Sequence, residues 1–208
     1  MASVHRLPYG QQLMLQRLMA SHVMTETKAK ALYEELKDDM EGTCSNVEEC
    51  FSQINAQLST AFGLEIATVR MAVGAHKKPK KYHTVINQNA DDVSKDAFGF
   101  HYNKHELAFI KLVMQQLVES RGSQKKDLVN CRGELKEPYS LTLAGAEHCV
   151  ETLLEDKWLV ATDADTNRRR SMQGTIQIAP RSFVELSHML VDIGYPREEL
   201  PQFFFHRV

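Results

Sequence analysis

Residues 46–86 read NVEECFSQINAQLSTAFGLEIATVRMAVGAHKKPKKYHTVI, and this stretch decides the fold. Asn46 is a typical helix cap, apolar residues then recur at helical spacing, and Gly63 ends the helix. Two runs rich in strand-forming residues follow, 64–73 and 82–86, and a turn with four lysines separates them. A helix followed by a hairpin with a basic turn is the order typical of a winged helix.

Two further helices are predicted before this stretch, one over 10–21 and one from Thr25 to about Met40. The apolar residues of the first helix spread over roughly two thirds of its circumference, which is more than one core can cover. We therefore expect some of them to bind a partner protein, and packing within this chain is the open alternative. The candidate partner-binding residues are Leu13, Leu15, Leu18 and Met19.

The second half of the chain repeats the plan. One helix begins at the capping pair Asn103-x-x-Glu106, and the last helix before the strands begins at Thr142. Strand-forming residues follow at 158–160 and 175–178, on either side of a turn with three arginines. The same order of elements therefore occurs twice.

These patterns predict a mainly α protein with small β wings (α+β), built of two tandem winged-helix domains. The expected boundaries are 1–90 for the first domain, 91–102 for a linker, 103–194 for the second domain and 195–208 for a tail. The tail contains three consecutive phenylalanines, and so much apolar surface suggests that another segment or a partner covers it.

The third helix of each predicted domain is acidic, although this is the helix that usually enters the DNA major groove. The residues concerned are Glu48 and Glu49 in the first domain, and Glu147, Glu151, Glu155 and Asp156 in the second. Carboxylates are repelled by phosphates, so both helices favour contact with protein over contact with DNA.

The basic turns of the two wings are candidates for DNA contact without sequence preference, because lysine and arginine bind phosphates. The candidate residues are Lys77, Lys78, Lys80, Lys81, Arg168, Arg169 and Arg170. The alternative is that these turns are solvated loops that aid solubility. A formal net charge of -2 argues against a dedicated nucleic-acid coat but leaves local basic patches open.

No catalytic, metal or cofactor site is expected in this chain. The four cysteines lie far apart without zinc-ligand spacing, which is typical of reduced thiols in an intracellular protein. Phosphate loops, nucleophile elbows and zinc-protease motifs are absent from the sequence. There is also no run of 18 apolar residues and no secretory signal, so we expect no membrane contact.

Several short motifs, spread in order over most of the chain, resemble one known family. They are Leu15-Gln16-Arg17-Leu18-Met19-x-x-His22-Val23, Ile54-Asn55-x-x-Leu58 before Glu65-Ile66, Phe100-x-x-Asn103-x-x-Glu106-Leu107-x-Phe109-x-Lys111, and Leu153-Leu154-x-x-Lys157-Trp158-Leu159-Val160. Together they are similar to the non-SMC element one family, the RING-bearing subunit of the SMC complex devoted to DNA repair.

The resemblance implies a fold, partners and a cellular compartment. Family members carry two winged-helix domains followed by a RING-like zinc domain that is associated with ubiquitin ligase activity. They bind a MAGE-family subunit, and together the two engage a kleisin subunit. The trimer is implicated in DNA binding and in recombinational repair, so the resemblance implies a nuclear interaction subunit for which weak non-specific DNA contact is possible.

The RING itself is missing from this sequence, because no run of Cys and His ligands follows Tyr195-Pro196. No zinc ligand can be assigned, and zinc and ligase activity are expected only in a longer parent. The rival from another class is a DNA-binding transcription regulator with tandem winged helices. Basic third helices would favour that rival, and Lys157 is the one lysine or arginine in 46–62 and 142–157.

Overall fold

A computed structural model describes residues 6–74, 77–88, 102–162 and 174–206. The chain divides into two compact units. The first contains Met1–Met71, Lys78–Ser94 and Pro201–Val208, and the second contains Ala72–Lys77 and Lys95–Leu200. The first unit is therefore assembled from separate stretches, and its last stretch follows the second unit in sequence.

In chain order the helices are α1 (Tyr9–Ser21), α2 (Glu26–Leu36), α3 (Val47–Phe62), α4 (Lys104–Ser120), α5 (Lys125–Asn130), α6 (Leu143–Glu155), α7 (Pro180–Glu185) and α8 (Ser187–Asp192). The strands are β1 (Met24–Thr25), β2 (Leu64–Met71), β3 (Lys80–Asn87), β4 (Leu159–Ala161), β5 (Ile176–Ile178) and β6 (Phe203–Phe205). Short 3-10 turns cover Lys37–Met40, Cys131–Glu134 and Arg197–Glu199.

Local signals set the helix ends of the first unit. The Asn46 side chain accepts a hydrogen bond from the Glu49 amide at 2.9 Å, which satisfies one of the free amides at the start of α3. Gly63 ends α3 in the left-handed conformation, φ 65°, where glycine has no steric penalty. Thr25 caps α2 in the same way as Asn46 caps α3.

The first unit contains a four-stranded antiparallel sheet in the order β1-β3-β2-β6. β2 and β3 form the wing hairpin, with Leu64 opposite Asn87 and Met71 opposite Lys80. β6 pairs with the other edge of β2, where Thr68 lies opposite Phe204. The strand that closes the sheet thus comes from the far end of the chain.

The core of the first unit lies between the three helices and the sheet. Its fully buried side chains include Met14, Leu18, Phe51, Ile54 and Ile66. Burial of such large apolar side chains contributes roughly 1.5–3 kcal/mol each, and this is the main stabilisation of the unit.

The second unit builds the same plan around α4. Asn103 and Glu106 form a capping box at its start, in which each side chain accepts from the other residue's backbone amide. The buried face of α4 includes Phe109, Ile110 and Met114, and α5 and α6 pack on this helix. β4 and β5 then form the second hairpin, with Leu159 opposite Ile178.

The fold-class prediction is confirmed, since each unit has helices followed by a small antiparallel hairpin in the winged-helix order. The helical stretch that follows β5 is divided at Leu186, whose backbone leaves the helical region with φ -114° and ψ 19°. One detail differs from expectation. Residues 203–205, expected in an exposed tail, form β6, because Ala67–Val69 supply a free strand edge in the first unit.

Most of the expected linker and the tip of the second wing fall on 89–101 and 163–173, which lie outside the described residues. Within the described ranges, no helix is both long enough and apolar enough to cross a membrane.

Candidate protein-docking surfaces

The outer face of α1 exposes apolar side chains that the core of the first unit does not use. Tyr9 is 60% exposed and Met19 is 47% exposed. Leu13 and Leu15 are partly buried and pack against the core at the edges of this face. We call Tyr9, Leu13, Leu15 and Met19 the α1 apolar band.

The assignment of Leu18 to a partner surface is wrong. Its side chain is fully buried in the core of the first unit, together with Met14. Leu18 lies one residue before the exposed Met19, so about 100° of helix rotation separates a core position from a surface position.

Polar contacts fix the orientation of α1 on the rest of the first unit. The buried Gln11 side chain donates to Thr43 Oγ1 at 2.9 Å and to Gln53 Oε1 at 2.6 Å. Because a buried amide without partners would cost free energy, these bonds favour one rotation of the helix. The α1 apolar band is therefore presented in a fixed direction within its unit.

The acidic face of α3 is exposed but partly neutralised by the first wing. Lys81 Nζ lies 2.9 Å from Glu48 Oε1, and both groups are well solvated. The hydrogen bond from Lys81, reinforced by its charge, holds the pKa of Glu48 below its ordinary value. Glu49 accepts from both the amide and the hydroxyl of Ser45, and these bonds lower its pKa as well.

The acidic face of α6 is also exposed, with Glu147, Glu151 and Glu155 on the outside of the helix. Lys125 Nζ on α5 lies 2.6 Å from Glu151 Oε1. Both third helices thus present carboxylates to solvent, and among the described residues each has one lysine partner. Neither face offers the positive charge that phosphates require.

A groove lies beside α6 within the second unit, with a volume of about 710 Å³. Val129, Leu143, Leu154 and Ile176 line it, and Lys126 and Glu147 lie among its polar groups. Leu143 is 50% exposed and lines this groove together with Glu147 of the acidic face. Apolar and acidic side chains are therefore exposed side by side in this part of the second unit.

The lysines of the first wing occupy two kinds of position. Lys77 and Lys78 lie in the turn, whereas Lys80 and Lys81 already belong to β3. Lys77, Lys78 and Lys80 are exposed, and Lys81 pairs with Glu48. The arginines expected to bind DNA, Arg168, Arg169 and Arg170, lie outside the described residues.

Possible metal ligands do not cluster in the part of the chain that the structure describes. All four cysteines are free thiols buried in the two units, and burial raises the pKa of Cys149 to about 12. The Cys149 thiol therefore remains protonated at neutral pH and is a poor metal ligand and nucleophile.

Sequence reasoning missed Tyr9 and the groove. Tyr9 was outside the helix as predicted from residue 10, although a tyrosine at the first helical position is a readable signal. The groove has no local signal, because its lining residues come from α5, α6 and β5 and meet only in the folded unit.

Comparisons with known proteins identify one family and one fold. The family model described as "Nse1 non-SMC component of SMC5-6 complex" matches residues 11–135, more than half of the 208-residue chain. A solved structure of an "Nse1-Nse3-Nse4 complex" matches with a TM-score of 0.66 at 20% sequence identity, covering 88% of this chain and 74% of that chain. At this identity the structural likeness concerns the fold alone. No curated protein matches the chain.

Proposed function

This chain belongs to the Nse1 family of non-SMC components of the SMC5-6 complex, and from that premise we propose that it works as a docking subunit. Its proposed partners are a MAGE-family subunit and a kleisin subunit. They would correspond to the Nse3 and Nse4 components of the structurally similar complex. The proposed setting is the nucleus, in chromosome maintenance and DNA repair.

The observation that carries the proposal is the α1 apolar band. Two of its large side chains, Tyr9 and Met19, are about half exposed or more on a helix whose opposite face is core. Side chains of this type are typical of protein–protein interfaces, where aromatic residues and methionine are enriched, and tyrosine is also enriched at binding hot spots. The acidic faces of α3 and α6 add support, because they disfavour the DNA contact that the fold would otherwise serve.

The experiment is co-purification of the chain with its MAGE-family partner after charge is introduced into the band. Met19→Glu and Tyr9→Glu are each expected to weaken binding at least tenfold, because a buried carboxylate would have no partner in the interface. Ala31→Glu adds the same charge at an exposed position of α2 and is the matched control, with binding expected to stay unchanged.

Circular dichroism separates lost binding from lost folding. Both band variants are expected to keep the unfolding midpoint of the natural chain, because their side chains are exposed. Leu18→Ala, in contrast, should cost about 2–5 kcal/mol of stability, because it creates a cavity in the core. If Met19→Glu and Tyr9→Glu bind the partner like Ala31→Glu does, the band is not the docking surface.

A second proposed role is weak contact of the first wing with DNA. It is supported by Lys77, Lys78 and Lys80, which are exposed and for which the described residues provide no ion-pair partner. Changing these three lysines to Gln should lower the slope of log affinity against log salt for DNA binding by the assembled complex. Lys125→Gln is a control outside the wing, and an unchanged slope in the triple variant would end this proposal.

A further inference from the structure

A line of hydrogen-bonded polar side chains runs through the buried part of the first unit. Glu26 Oε2 lies 2.8 Å from His83 Nε2, and His83 Nδ1 lies 2.7 Å from Thr68 Oγ1. Thr68 Oγ1 in turn lies 2.7 Å from His206 Nε2. Thr68 is fully buried, and His83 and His206 are nearly so, which makes the protonation state of the two imidazoles important.

With both imidazoles neutral, one direction of donation satisfies every bond along this line. The Glu26 carboxylate only accepts, so His83 Nε2 donates to it and leaves Nδ1 as an acceptor. Thr68 Oγ1 donates to His83 Nδ1, and its own oxygen accepts from His206 Nε2. A proton added to His83 Nδ1 turns this nitrogen into a donor, so the Thr68 hydroxyl can no longer donate to it and the arrangement has to change. A proton added to His206 leaves its Nε2 bond intact but places a charged imidazole in a buried position.

The same line anchors β6 to the sheet. β6 has three residues and lies at the sheet edge, and Phe203 and Phe204 remain 38% and 44% exposed. Asn55 Nδ2 donates to the His206 carbonyl at 3.1 Å and to the Ile66 carbonyl at 3.0 Å. Such a short strand gains little from pairing alone, so the buried contacts of His206 hold it in place.

Charged groups from several elements face the two imidazoles. Glu26 on α2 and Glu48 on α3 favour protonation of His206, whereas Lys81 on β3 opposes it. Phe51 packs against both rings, with centroids 4.9 Å from His83 and 5.4 Å from His206. Burial outweighs the carboxylates, and it lowers the pKa of His83 to about 4 and also lowers the pKa of His206.

We propose that β6 is a proton-sensitive latch, which stays paired with β2 while His83 and His206 are neutral and detaches from the sheet as the solution is acidified. Detachment brings His206 into water and leaves the Thr68 hydroxyl and the Asn55 amide free to bind water instead.

The direction of the pH dependence follows from proton binding. A detached His206 has the ordinary pKa of about 6.5, above its pKa in the docked strand, so the open form binds more protons below neutral pH. Docking is at full strength above about pH 7 and weakens as the pH falls below about 6.5. The open population rises by at most about tenfold per pH unit for each imidazole released.

The test is hydrogen–deuterium exchange of the full chain between pH 5.0 and 7.5, corrected for the intrinsic pH dependence of exchange. Peptides covering 203–206 should open about 10- to 30-fold more at pH 5.0 than at pH 7.5. Peptides from α3 should stay protected over the same range, which distinguishes release of β6 from unfolding of the unit.

His206→Gln is the decisive variant, because a glutamine amide can still donate to Thr68 but does not titrate. Its β6 should be protected at pH 7.5 and should lose most of the pH dependence. His188→Gln removes an exposed histidine of the second unit and should behave like the natural chain. A pH dependence in His206→Gln as steep as in the natural chain would overturn the proposal, as would a natural chain whose β6 opens equally at all pH values.

If His206→Gln lacks protection at every pH, the latch is tested instead by an NMR titration of the natural chain, labelled at its histidine Cε1 positions. The His206 signal is then expected to change at the same pH at which β6 loses protection. A His206 that titrates near pH 6.5 while β6 remains fully protected contradicts the latch.

Discussion

Arg181 binds three partners at once in the second unit. Its guanidinium lies 3.9 Å from the centroid of the Trp158 ring, and Nε donates to Glu185 Oε1 at 2.6 Å. Nη1 donates to the Asp156 carbonyl at 2.7 Å, beside the end of α6. Glu185 is largely buried, and this desolvation raises its pKa despite the arginine beside it. Arg181 therefore lowers the free energy of a carboxylate that is largely withdrawn from water.

Replacement of Arg181 by Met is expected to destabilise the chain by roughly 3 kcal/mol at pH 7.5, because Glu185 is left as an unpaired buried charge. Without the arginine, the pKa of Glu185 should rise further. The loss relative to the natural chain should then shrink as the pH falls toward 5.5, where the carboxyl can be buried in its neutral form.

Urea unfolding at the two pH values measures this difference. Arg121→Met is the matched control, since Arg121 also stacks on a tyrosine and pairs with Glu199 but is 46% exposed. Its cost should stay below about 1 kcal/mol at both pH values. A pH-independent loss in Arg181→Met would show that packing on Trp158, and not the charge of Glu185, accounts for the effect.

Individual residue roles could be predicted from the sequence only where the signal is local. The helical pattern identified α1 as apolar over too much of its surface, yet Leu18 and Met19 are neighbours and only the fold separates core from surface. The pairing of Lys81 with Glu48 spans 33 residues and depends on how the wing packs against α3. The number of lysines in a turn therefore does not tell how many of them lack an ion-pair partner in the folded protein.

At Gly10, α1 lies in close contact with the backbone around the 3-10 turn Lys37–Met40. A Cβ added to Gly10 would lie 2.9 Å from the Leu36 carbonyl oxygen and 2.9 Å from the Asp39 carbonyl carbon. Both are backbone atoms, so the contact cannot be relieved by rotation of a side chain. Gly10 lets the two elements approach this closely.

Gly10→Ala is accordingly expected to cost about 1–3 kcal/mol, measured as a lower urea midpoint with an unchanged slope. The helical preference of alanine offsets at most about 1 kcal/mol of this loss. Gly133→Ala is the control, because an added Cβ there meets open space and its change should stay within about 0.5 kcal/mol. Stabilisation by Gly10→Ala would mean that the turn moves away without cost.

The helix ends that carry a local capping signal could be predicted from the sequence, whereas β6, which has no local signal, could not. Asn46, Gly63 and the Asn103–Glu106 pair carry their own capping geometry, and the helices begin or end where these residues indicate. β6 consists of phenylalanines that suit a strand, but its partner β2 lies well over 100 residues earlier in the chain. Pairing at that separation leaves no periodic pattern to read.

Both units of the molecule are discontinuous in sequence, and the last stretch of the first unit follows the second unit. Thr68 and His206 are bonded across 138 residues, so the first unit closes only after the second has been crossed. Ordering so long a connection carries an entropic cost, which grows slowly with loop length. Completion of the first unit therefore depends on residues that a fragment ending at the linker would lack.

A fragment of residues 1–94 is expected to be less stable than the first unit in the full chain by roughly 2 kcal/mol, since it lacks β6 and the buried bonds of His206. Addition of a synthetic peptide of residues 199–208 should recover part of the loss in a concentration-dependent way. The fragment 95–200 serves as a control, and the peptide should not change its thermal midpoint. Equal stability of the 1–94 fragment with and without saturating peptide would show that β6 adds little.

The position of β6 also has a mechanical consequence. α1 and β6, the first helix and the last strand of the described chain, both belong to the first unit. Tension applied there reaches the first unit directly, and the three-residue pairing of β6 with β2 is the first structure under load. Residues 95–200 lie between these two points in sequence, so a pull at α1 and β6 would separate β6 from β2 before it stretched that part of the chain.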